Sequence, residues 1–372
     1  MTKPKKKLLP KEFEELLSGG DLTALKAVFN DCQLDARGGY SKKTALAFNE
    51  SPDDLVHWLV AQGTDINAPD SFGDTPLHAR SSHWKGNIAI LLQLGADIER
   101  TNGQLETALH KAAKVGNADN VRLLLDHGAR TEVRNSMGLT PLGAALLNCP
   151  NSKIAEIADV AEILLAESEK PVREKPTLLS RLFGAKKTTD DSEATSNKEA
   201  VLRIGTNFEF HRQAFNPESV EAVSAGLDKL YRLFDVAPVP RRLLHDGKSA
   251  ISAKSSNWKD AHQELWELLV PSSGAASTIQ GEVIRISGRI HDELYRNGGG
   301  NWDSDFRKMA DALVVHLRSA EALPSESLTE ASQITTALPS RADDTHLLCK
   351  LAVEWVERNP IPQPLSKPNH RR

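Results

Sequence analysis

Apolar and polar positions along the chain follow different patterns in its two halves. Up to about residue 170, short apolar runs at helical spacing alternate with polar turns. In the clearest of these runs, Val121, Leu124 and Leu125 lie on one face of a helix. Gly128 follows this run, at a position where a left-handed helix end is free of steric strain. Beyond residue 200 the apolar stripes become longer, so the pattern predicts short helices in repeated units and then longer helices.

The short helices belong to a sequence repeat. One phrase, which reads TALA, TPLH, TALH or TPLG, begins at four threonines that are 31, 32 and 33 residues apart: Thr44, Thr75, Thr107 and Thr140. Threonine is a good N-cap, and proline in the first turn loses no hydrogen bond, so these phrases predict helix starts. A second apolar phrase follows the first three copies and ends at Gly63, Gly95 and Gly128. Each unit can bury its apolar face only against neighbouring units.

The two phrases resemble the ankyrin repeat, whose period is about 33 residues and whose signature contains T-P-L-H-x-A. The resemblance covers roughly residues 11–170, and the stretch from Phe13 to Phe29 resembles a degenerate first repeat that acts as a cap. Arg80 and Ser81 depart from the pattern, which has small residues there, and an insertion lies near Asn148. The resemblance implies an all-α solenoid of four to five repeats.

The resemblance also implies a binding surface. Ankyrin repeats place variable residues at hairpin tips and along inner helices, where they line a concave groove. Transferred by position relative to each Thr, this protein-binding surface consists of Ser71, Phe72, Asp74, His83, Trp84, Gln104, Glu106, Lys114, Val115, Met137 and Leu139. Phe72, Met137 and Trp84 are the expected anchors, because aromatic and Met contacts dominate interfaces. The alternative for each anchor is packing against the next hairpin. The resemblance further implies that His78 and His110 brace adjacent repeats.

Shifts in composition divide the chain into five segments. We expect a basic tail at residues 1–10, the repeats at 11–170, a flexible linker at 171–198, an all-helical domain at 199–360 and a tail at 361–372. The linker is polar and charged and has too few apolar residues to fold by burial. Within it, Leu178 to Phe183 is either a short docking helix or a patch that packs loosely on a neighbouring domain.

The second half is predicted to be a bundle of five or six helices. Apolar stripes and helix-start residues place helices at residues 217–236, 258–270, 277–296, 303–323 and 345–358. A strand pattern competes only around residues 201–210. The sequence of this bundle does not indicate a family.

The helix predicted at residues 277–296 carries a charged stripe beside its apolar stripe. Glu282, Arg285 and Arg289 stand three or four residues apart, which is the spacing of ion pairs on a helix surface. The same stripe could instead face a partner or a ligand, and together with Asp303 it forms a possible second site. For Asp303 the structural alternative is a favourable place in the first turn of a helix.

Composition limits the classes of function. The 372 residues include 46 basic and 50 acidic side chains, a net charge of −4, which argues against a dedicated nucleic-acid-binding protein. The sequence has no signal-peptide pattern or membrane-spanning run, and its three cysteines are dispersed, so we expect a cytoplasmic protein. No catalytic residue, metal site or cofactor is predicted, and Gly298 to Gly300 lack the Lys-Ser/Thr of a phosphate loop.

Three functional hypotheses follow. The first is a non-enzymatic adaptor or inhibitor that captures a protein in the groove and, in its specific form, neutralises or regulates that one protein. The alternative is an enzyme or ligand-responsive helical domain that the repeats target to its place of action. A third is nucleic-acid binding through Lys3, Lys5, Lys6 and Lys7. Because residues 11–170 carry 15 basic and 23 acidic side chains, a balance of −8, we expect a basic protein partner and no membrane partner.

Overall fold

The computed structural model of the protein describes residues 4–168 and 191–366, together with residues 368 and 370. The segment Leu178 to Phe183 and most of the predicted linker lie outside the described residues. The chain forms two compact units: the first comprises the residues up to 208 and residues 216–239, and the second comprises residues 209–215 and those from 240 onwards. Within the described residues, no helix is both long and apolar enough to cross a membrane.

The first unit consists mainly of paired helices, as the repeat predicts. Helices α1 (Phe13–Gly19) and α2 (Leu22–Asp31) form the capping pair. The next unit has one turn of 3₁₀-helix at Ala45–Ala47 before α3 (Asp53–Ala61). The three following pairs are α4 (Pro76–Ser81) with α5 (Ala89–Gln93), α6 (Ala108–Lys114) with α7 (Ala118–Asp126), and α8 (Pro141–Leu147) with α9 (Ile154–Ser168). The predicted threonines Thr75, Thr107 and Thr140 are the N-caps of α4, α6 and α8.

Two buried histidines join successive repeats. The Nε2 atom of His78 lies 2.9 Å from the carbonyl oxygen of Glu106, and its Nδ1 atom lies 2.8 Å from Thr75 Oγ1. Because a carbonyl oxygen only accepts, Nε2 carries the proton and Nδ1 accepts from the hydroxyl. His110 repeats this arrangement with Thr107 and with the carbonyl oxygen of Leu139, at 2.9 and 3.1 Å. Burial lowers the pKa of both histidines, so both bridges are neutral at pH 7.

Arg80 occupies a position where the repeat pattern has a small residue, and its guanidinium group is completely buried. It donates hydrogen bonds to the carbonyl oxygens of Leu46, Ser51 and Asn87 at 2.9, 3.3 and 3.2 Å. Burial lowers its pKa to about 10, which leaves the group charged at pH 7. The arginine therefore ties the short 3₁₀ turn of the preceding unit to the turn between α4 and α5.

The first described residues form part of a small three-stranded sheet. We expected a basic tail there. Strand β1 (Lys6–Leu8) pairs in parallel with β2 (Cys32–Gly38), and β2 pairs antiparallel with β3 (Lys43–Thr44). The Lys5 ammonium group donates to the carbonyl oxygen of Phe29 at 2.7 Å. The sequence pattern does not predict this strand, because β1 is short, rich in lysine and exposed along its whole length.

Two further helices extend the first unit beyond the predicted end of the repeats. They are α10 (Asp191–His211), whose residues up to 208 belong to this unit, and α11 (Pro217–Leu233). The strand pattern noted at residues 201–210 lies within α10, so that region is helical. The predicted domain boundary at residue 199 lies inside α10. The first compact unit instead continues to residue 208 and includes residues 216–239.

The two added helices contact the last repeat closely. Glu193 accepts a hydrogen bond from Thr140 Oγ1 at 2.6 Å. Asn197 Oδ1 lies near Gly143, which stands where the two preceding copies have histidine. Helix α11 packs along α9, where a Cβ on Gly226 would lie 2.5 Å from the Cα atom of Ala155. A sixth helical pair thus completes the stack.

The second unit is a bundle of five helices. They are α12 (Trp258–Leu269), α13 (Ile279–His291), α14 (Ser304–Leu317), α15 (Ser325–Ala337) and α16 (Thr345–Arg358), and a π-helical turn at Asp292–Arg296 continues α13. The predicted helix at 303–323 ends at Leu317, and α15 was not predicted. Residues of the expected tail cross the start of α13, since Ile279 N donates to Gln363 O at 2.8 Å.

The close approach of α11 to α9 gives a test of this architecture. We expect Gly226→Ala to reduce the free energy of unfolding by about 1–3 kcal/mol, because the added methyl group meets backbone that cannot move easily. Gly19→Ala is the matched control, because Gly19 is also helical but has open space around it; there we expect no loss or a gain of up to about 1 kcal/mol. Urea titration of the full chain measures both, and equal effects would contradict the packing of α11 on α9.

Candidate functional site

Three of the four turns before successive repeat units have the same internal hydrogen bonds. We call the turns at residues 39–43, 70–74, 102–106 and 135–139 the fingertips. In the second fingertip, Asp70 Oδ1 accepts from the backbone N–H groups of Phe72 and Asp74 at 2.8 and 3.0 Å. Asn102 and Asn135 accept the equivalent pairs of bonds in the third and fourth fingertips. The second, third and fourth fingertips are therefore each closed by one of their own side chains.

Backbone hydrogen bonds also join each fingertip to the next. Ser71 N donates to Ser41 O at 2.9 Å, Gly103 N donates to Phe72 O at 3.1 Å, and Ser136 N donates to Gln104 O at 2.8 Å. Gly103 allows this approach, since a Cβ there would lie 2.9 Å from the Phe72 oxygen. The four turns consequently form one continuous ladder, which fixes the spacing of the side chains that they carry.

The ladder presents four large apolar side chains to solvent, and we call them the tip row: Tyr40, Phe72, Leu105 and Met137. Their exposed fractions are 93, 56, 52 and 68 %. The rings of Tyr40 and Phe72 stack with centroids 6.2 Å apart. Sequence reasoning selected Phe72 and Met137 but missed the other two. An apolar residue at every tip, at intervals of 32, 33 and 32 residues, is the signal that could have identified them.

Leu105 has an unusual backbone conformation. Its φ angle is +57°, while glycines occupy the equivalent places in the neighbouring fingertips, at Gly73 with +82° and Gly138 with +74°. A left-handed conformation costs an L-residue about 1–2 kcal/mol compared with glycine. An exposed leucine at this position gains little burial to offset that strain, which is the kind of local outlier that accompanies functional sites.

The charged groups among the predicted surface residues are paired with nearby side chains of opposite charge. Lys111 Nζ lies 3.0 Å from Asp74, and Lys114 Nζ lies 2.8 Å from Glu106, which is only 3 % exposed. Burial by itself would raise the pKa of Glu106, but the hydrogen bond and charge of Lys114, together with Lys111, lower it below its usual value. The structure thus places Asp74, Glu106 and Lys114 in an internal network between two fingertips and α6.

Trp84 lies within the turn that follows α4, and the residue is 63 % exposed. The Lys85 ammonium group stands 4.3 Å from the centre of its ring. Asn117 Nδ2 holds this turn by donating to the carbonyl oxygens of His83 and Trp84 at 3.4 and 3.2 Å. Of the other predicted surface residues, Ser71 and Gln104 are exposed, and His83, Val115 and Leu139 are half-buried.

Comparison with known proteins agrees with the repeat geometry. Residues 91–143 match the family model described as ankyrin repeats (many copies). The chain contains an ankyrin repeat domain.

Several known ankyrin proteins are similar to this chain over part of their length. An ankyrin repeat protein of fowlpox virus is 41 % identical over 100 residues, which cover 25 % of this chain and 29 % of the viral protein. Ankyrin repeat and SOCS box protein 11 of Danio rerio is 51 % identical over 88 residues, or 23 and 30 % of the two chains. Ankyrin repeat and SOCS box protein 16 of Homo sapiens is 31 % identical over 149 residues, or 34 and 33 %. The matches thus span about a third of these relatives.

The second predicted site lies in the helical bundle outside the ankyrin domain, and two of its members are buried. Glu282 is fully buried and Arg285 is 2 % exposed. Arg285 Nε and Nη2 donate to the two carboxylate oxygens of Glu282 at 2.8 and 2.6 Å. The two residues do pair within the helix, as their spacing predicts, but the interpretation of this pair as a surface ion pair is wrong. Burial alone would raise the pKa of Glu282, but the Arg285 hydrogen bonds and charge lower it.

The remaining two members of that site have separate positions. Arg289 lines a cavity on the bundle. Asp303 is the N-cap of α14, where its carboxylate accepts from the backbone N–H groups of Asp305 and Phe306 at 2.9 and 3.1 Å. The structural alternative considered for Asp303 is thus the role that it has in the fold.

A half-buried histidine in the bundle was not predicted from the sequence. His262 of α12 lies with Nε2 3.0 Å from Ser287 Oγ of α13. Burial, assisted by the nearby His291, lowers the pKa of His262 to about 4.

Two of the cysteines are protected from ionisation, since burial raises the pKa of Cys149 and of Cys349 to about 12. These thiols remain protonated at pH 7 and are unsuited to act as nucleophiles.

The low pKa of His262 predicts a loss of stability in acid. Between about pH 6.5 and 4 the unfolded chain binds a proton that the folded chain refuses, so stability decreases as the pH falls through this interval. We expect the complete effect of this group to be about 3 kcal/mol. Urea titrations of the full chain from pH 7 to 4 measure the slope, and His262→Gln should flatten it. An unchanged slope in the variant would contradict the assignment.

Proposed function

We propose that the chain is a non-enzymatic protein-binding adaptor or inhibitor whose ankyrin domain holds a protein partner through the tip row. The observation that carries the proposal is the display of four large apolar side chains on one hydrogen-bonded ladder. Several large apolar side chains exposed to water on one support are unfavourable, and such surfaces are typical of interaction sites. Aromatic and Met side chains are also enriched in the centres of protein interfaces.

The backbone of the fingertips supports the same proposal. Binding loses less conformational entropy when the contacting side chains stand on a rigid support. The ladder provides that support, and Leu105 keeps a strained conformation in which its side chain reaches solvent. We propose that Tyr40, Phe72, Leu105 and Met137 are the anchors of the interface and that Trp84 is a separate contact.

The paired charges have a different proposed role. Asp74 is paired with Lys111, and Glu106 is paired with Lys114. We propose that these pairs stiffen the floor between fingertips and complement the shape of the partner. The other surface residues predicted from the sequence would border the anchors. We retain a basic partner in the proposal, because the negative balance of the repeats attracts positive charge during encounter.

The tip row can be tested by combining truncation with a substitution that preserves the fold. We expect Phe72→Ala with Met137→Ala to weaken binding of the partner at least tenfold, since interface anchors commonly contribute about 2 kcal/mol or more. Leu105→Gly should also weaken binding while changing the free energy of unfolding by less than about 1 kcal/mol, because relief of strain offsets the greater freedom of glycine. Affinity capture from the native host, followed by titration with the principal captured protein, measures both effects.

The matched control removes exposed apolar side chains elsewhere. Leu243→Ala with Val315→Ala truncates two exposed residues of the second unit, which are 76 and 66 % exposed. This variant should capture the same proteins as the unmodified chain. Equal capture by the control and by a correctly folded Phe72→Ala, Met137→Ala variant would refute the proposal. A single dominant partner would favour an inhibitor over a general adaptor.

The basic character of the partner is a separate prediction. Raising the salt concentration from about 0.05 to 0.5 M shortens the screening length severalfold and should slow association. Dissociation should change little, because apolar contacts hold the complex. Stopped-flow or surface-based kinetics with the captured protein measure both rates. An association rate that is insensitive to salt would contradict a basic partner and leave the tip row in place.

A further inference from the structure

The first unit contains a cavity that the protein-binding proposal does not use. It has a volume of about 420 Å³ and lies where the last repeat meets α10 and α11, and all its lining residues belong to the first unit. Protein interiors contain few voids larger than a water molecule, so a recess of this size has room for further side chains. Its floor is apolar and is built from α8, α9 and the end of α11: Leu142, Leu164, Leu165, Leu233 and Phe234.

The rim of the cavity is polar and is fixed by contacts within the unit. Arg134 Nη2 lies 2.6 Å from Glu193 Oε2, and Arg134 Nη1 donates to Gly138 O at 2.7 Å. These contacts tie the start of α10 to the fourth fingertip. Lys198 Nζ lies 3.7 Å from Asp235 Oδ2, which ties α10 to the residues after α11. The recess is therefore shaped by the described residues themselves.

The chain leaves the last repeat and returns to α10 at this same cavity. Ser168, with which α9 ends, lines it, and so does Glu193, two residues after the start of α10. The 22 residues from 169 to 190 connect these two points. Extended, a chain of that length spans at most about 75 Å, far more than the width of one cavity. The connecting chain is thus attached at both ends to one recess and has length to spare.

The connecting chain carries a compact apolar group near its middle. Apart from Val172, its large apolar residues are Leu178, Leu179, Leu182 and Phe183. They form two pairs four residues apart, the spacing that places side chains on one side of a helical turn. Leu178 comes ten residues after Ser168, and Phe183 comes eight before Asp191. Such lengths reach about 33 and 26 Å, so both ends allow the apolar group to return to the cavity.

Charge agrees with this match of apolar surfaces. Arg181, Lys186 and Lys187 are basic residues within or just after the apolar group. Glu132, which also lines the cavity, is an exposed acid. Exposed pairs of this kind contribute little energy, so the apolar floor is the main source of any affinity.

We propose that the cavity binds the segment from Leu178 to Phe183 of the same chain, with its four apolar side chains against the floor. A short amphipathic segment in an apolar groove is a recurrent mode of peptide recognition. Attachment through short linkers gives an effective concentration on the order of millimolar, so a modest affinity is enough to keep the site occupied. The cavity and the tip row are then separate: the chain fills the first itself and offers the second to a partner.

Hydrogen exchange of the full chain tests this proposal, with mass spectrometry of peptides that cover residues 176–185. We expect these amides to exchange at least about tenfold more slowly than in a free synthetic peptide of the same sequence, because a bound segment exchanges only after it leaves its site. Leu165→Asp places a charge in the floor and should reduce the protection below about twofold. Leu202→Asp is the matched control, because Leu202 is 42 % exposed on α10 and outside the lining; there the protection should remain.

A second variant changes none of the described residues. It carries Leu178→Ser, Leu179→Ser, Leu182→Ser and Phe183→Ser. A fluorescent peptide of residues 174–187 should bind this vacated chain at least about tenfold more tightly than the unmodified chain, in which the attached segment competes. The same peptide with serine at those four positions should bind neither chain.

Four results would overturn the proposal. They are exchange in the unmodified chain as fast as in the free peptide, protection that persists in Leu165→Asp, equal peptide binding to the vacated and unmodified chains, and protection that falls when the protein is diluted about a hundredfold. The first would leave the cavity to another occupant, and the last would assign it to the segment of a second copy.

Discussion

A buried, neutral imidazole ring joins each central ankyrin repeat to the next through hydrogen bonds on both of its nitrogens. His78 and His110 each connect the threonine that starts their own helix to the carbonyl group just before the following one. This connection fixes how far one repeat is displaced from its neighbour. Because the fingertips leave the repeats at those same carbonyl positions, their ladder and the order of the tip row depend on it. A charged ring would lack the acceptor at Nδ1 and would break the arrangement.

Local sequence explains the parts of the fold that repeat. The recurring Thr positions predict where α4, α6 and α8 begin, and the recurring Gly positions predict where α3, α5 and α7 end, since capping and left-handed turns are properties of a few adjacent residues. The strand at Lys6–Leu8 could not be predicted in this way, because its reason for being a strand is its distant partner β2. Helix α10 likewise begins in a polar stretch that is typical of a linker and acquires its role from contacts with the last repeat.

The candidate sites likewise include residues that local sequence predicts and residues that only the packing of distant segments defines. Phe72 and Met137 could be identified from their position in the repeat. Leu105 could not, because it stands where the neighbouring fingertips have glycine. Glu282 and Arg285 have the spacing of an ordinary surface pair, and only packing by neighbouring elements makes them buried. Spacing along a helix predicts which side chains meet, but it carries no information on how much solvent reaches them. The cavity beside the last repeat is lined in part by α10 and the end of α11, whose place next to that repeat the sequence does not predict.

Gly143 has a consequence for how this protein can change in length. The glycine occupies the place of the bridging histidine and leaves room for Asn197 of α10 beside it. A standard repeat added after this point would find no imidazole to receive it. The copies that begin at Thr75 and Thr107 bring their own histidine, whereas the copy at Thr44 has Ala47 in that place. A unit inserted between the copies at Thr75 and Thr140 could keep the histidine connection, whereas a unit added after Gly143 could not.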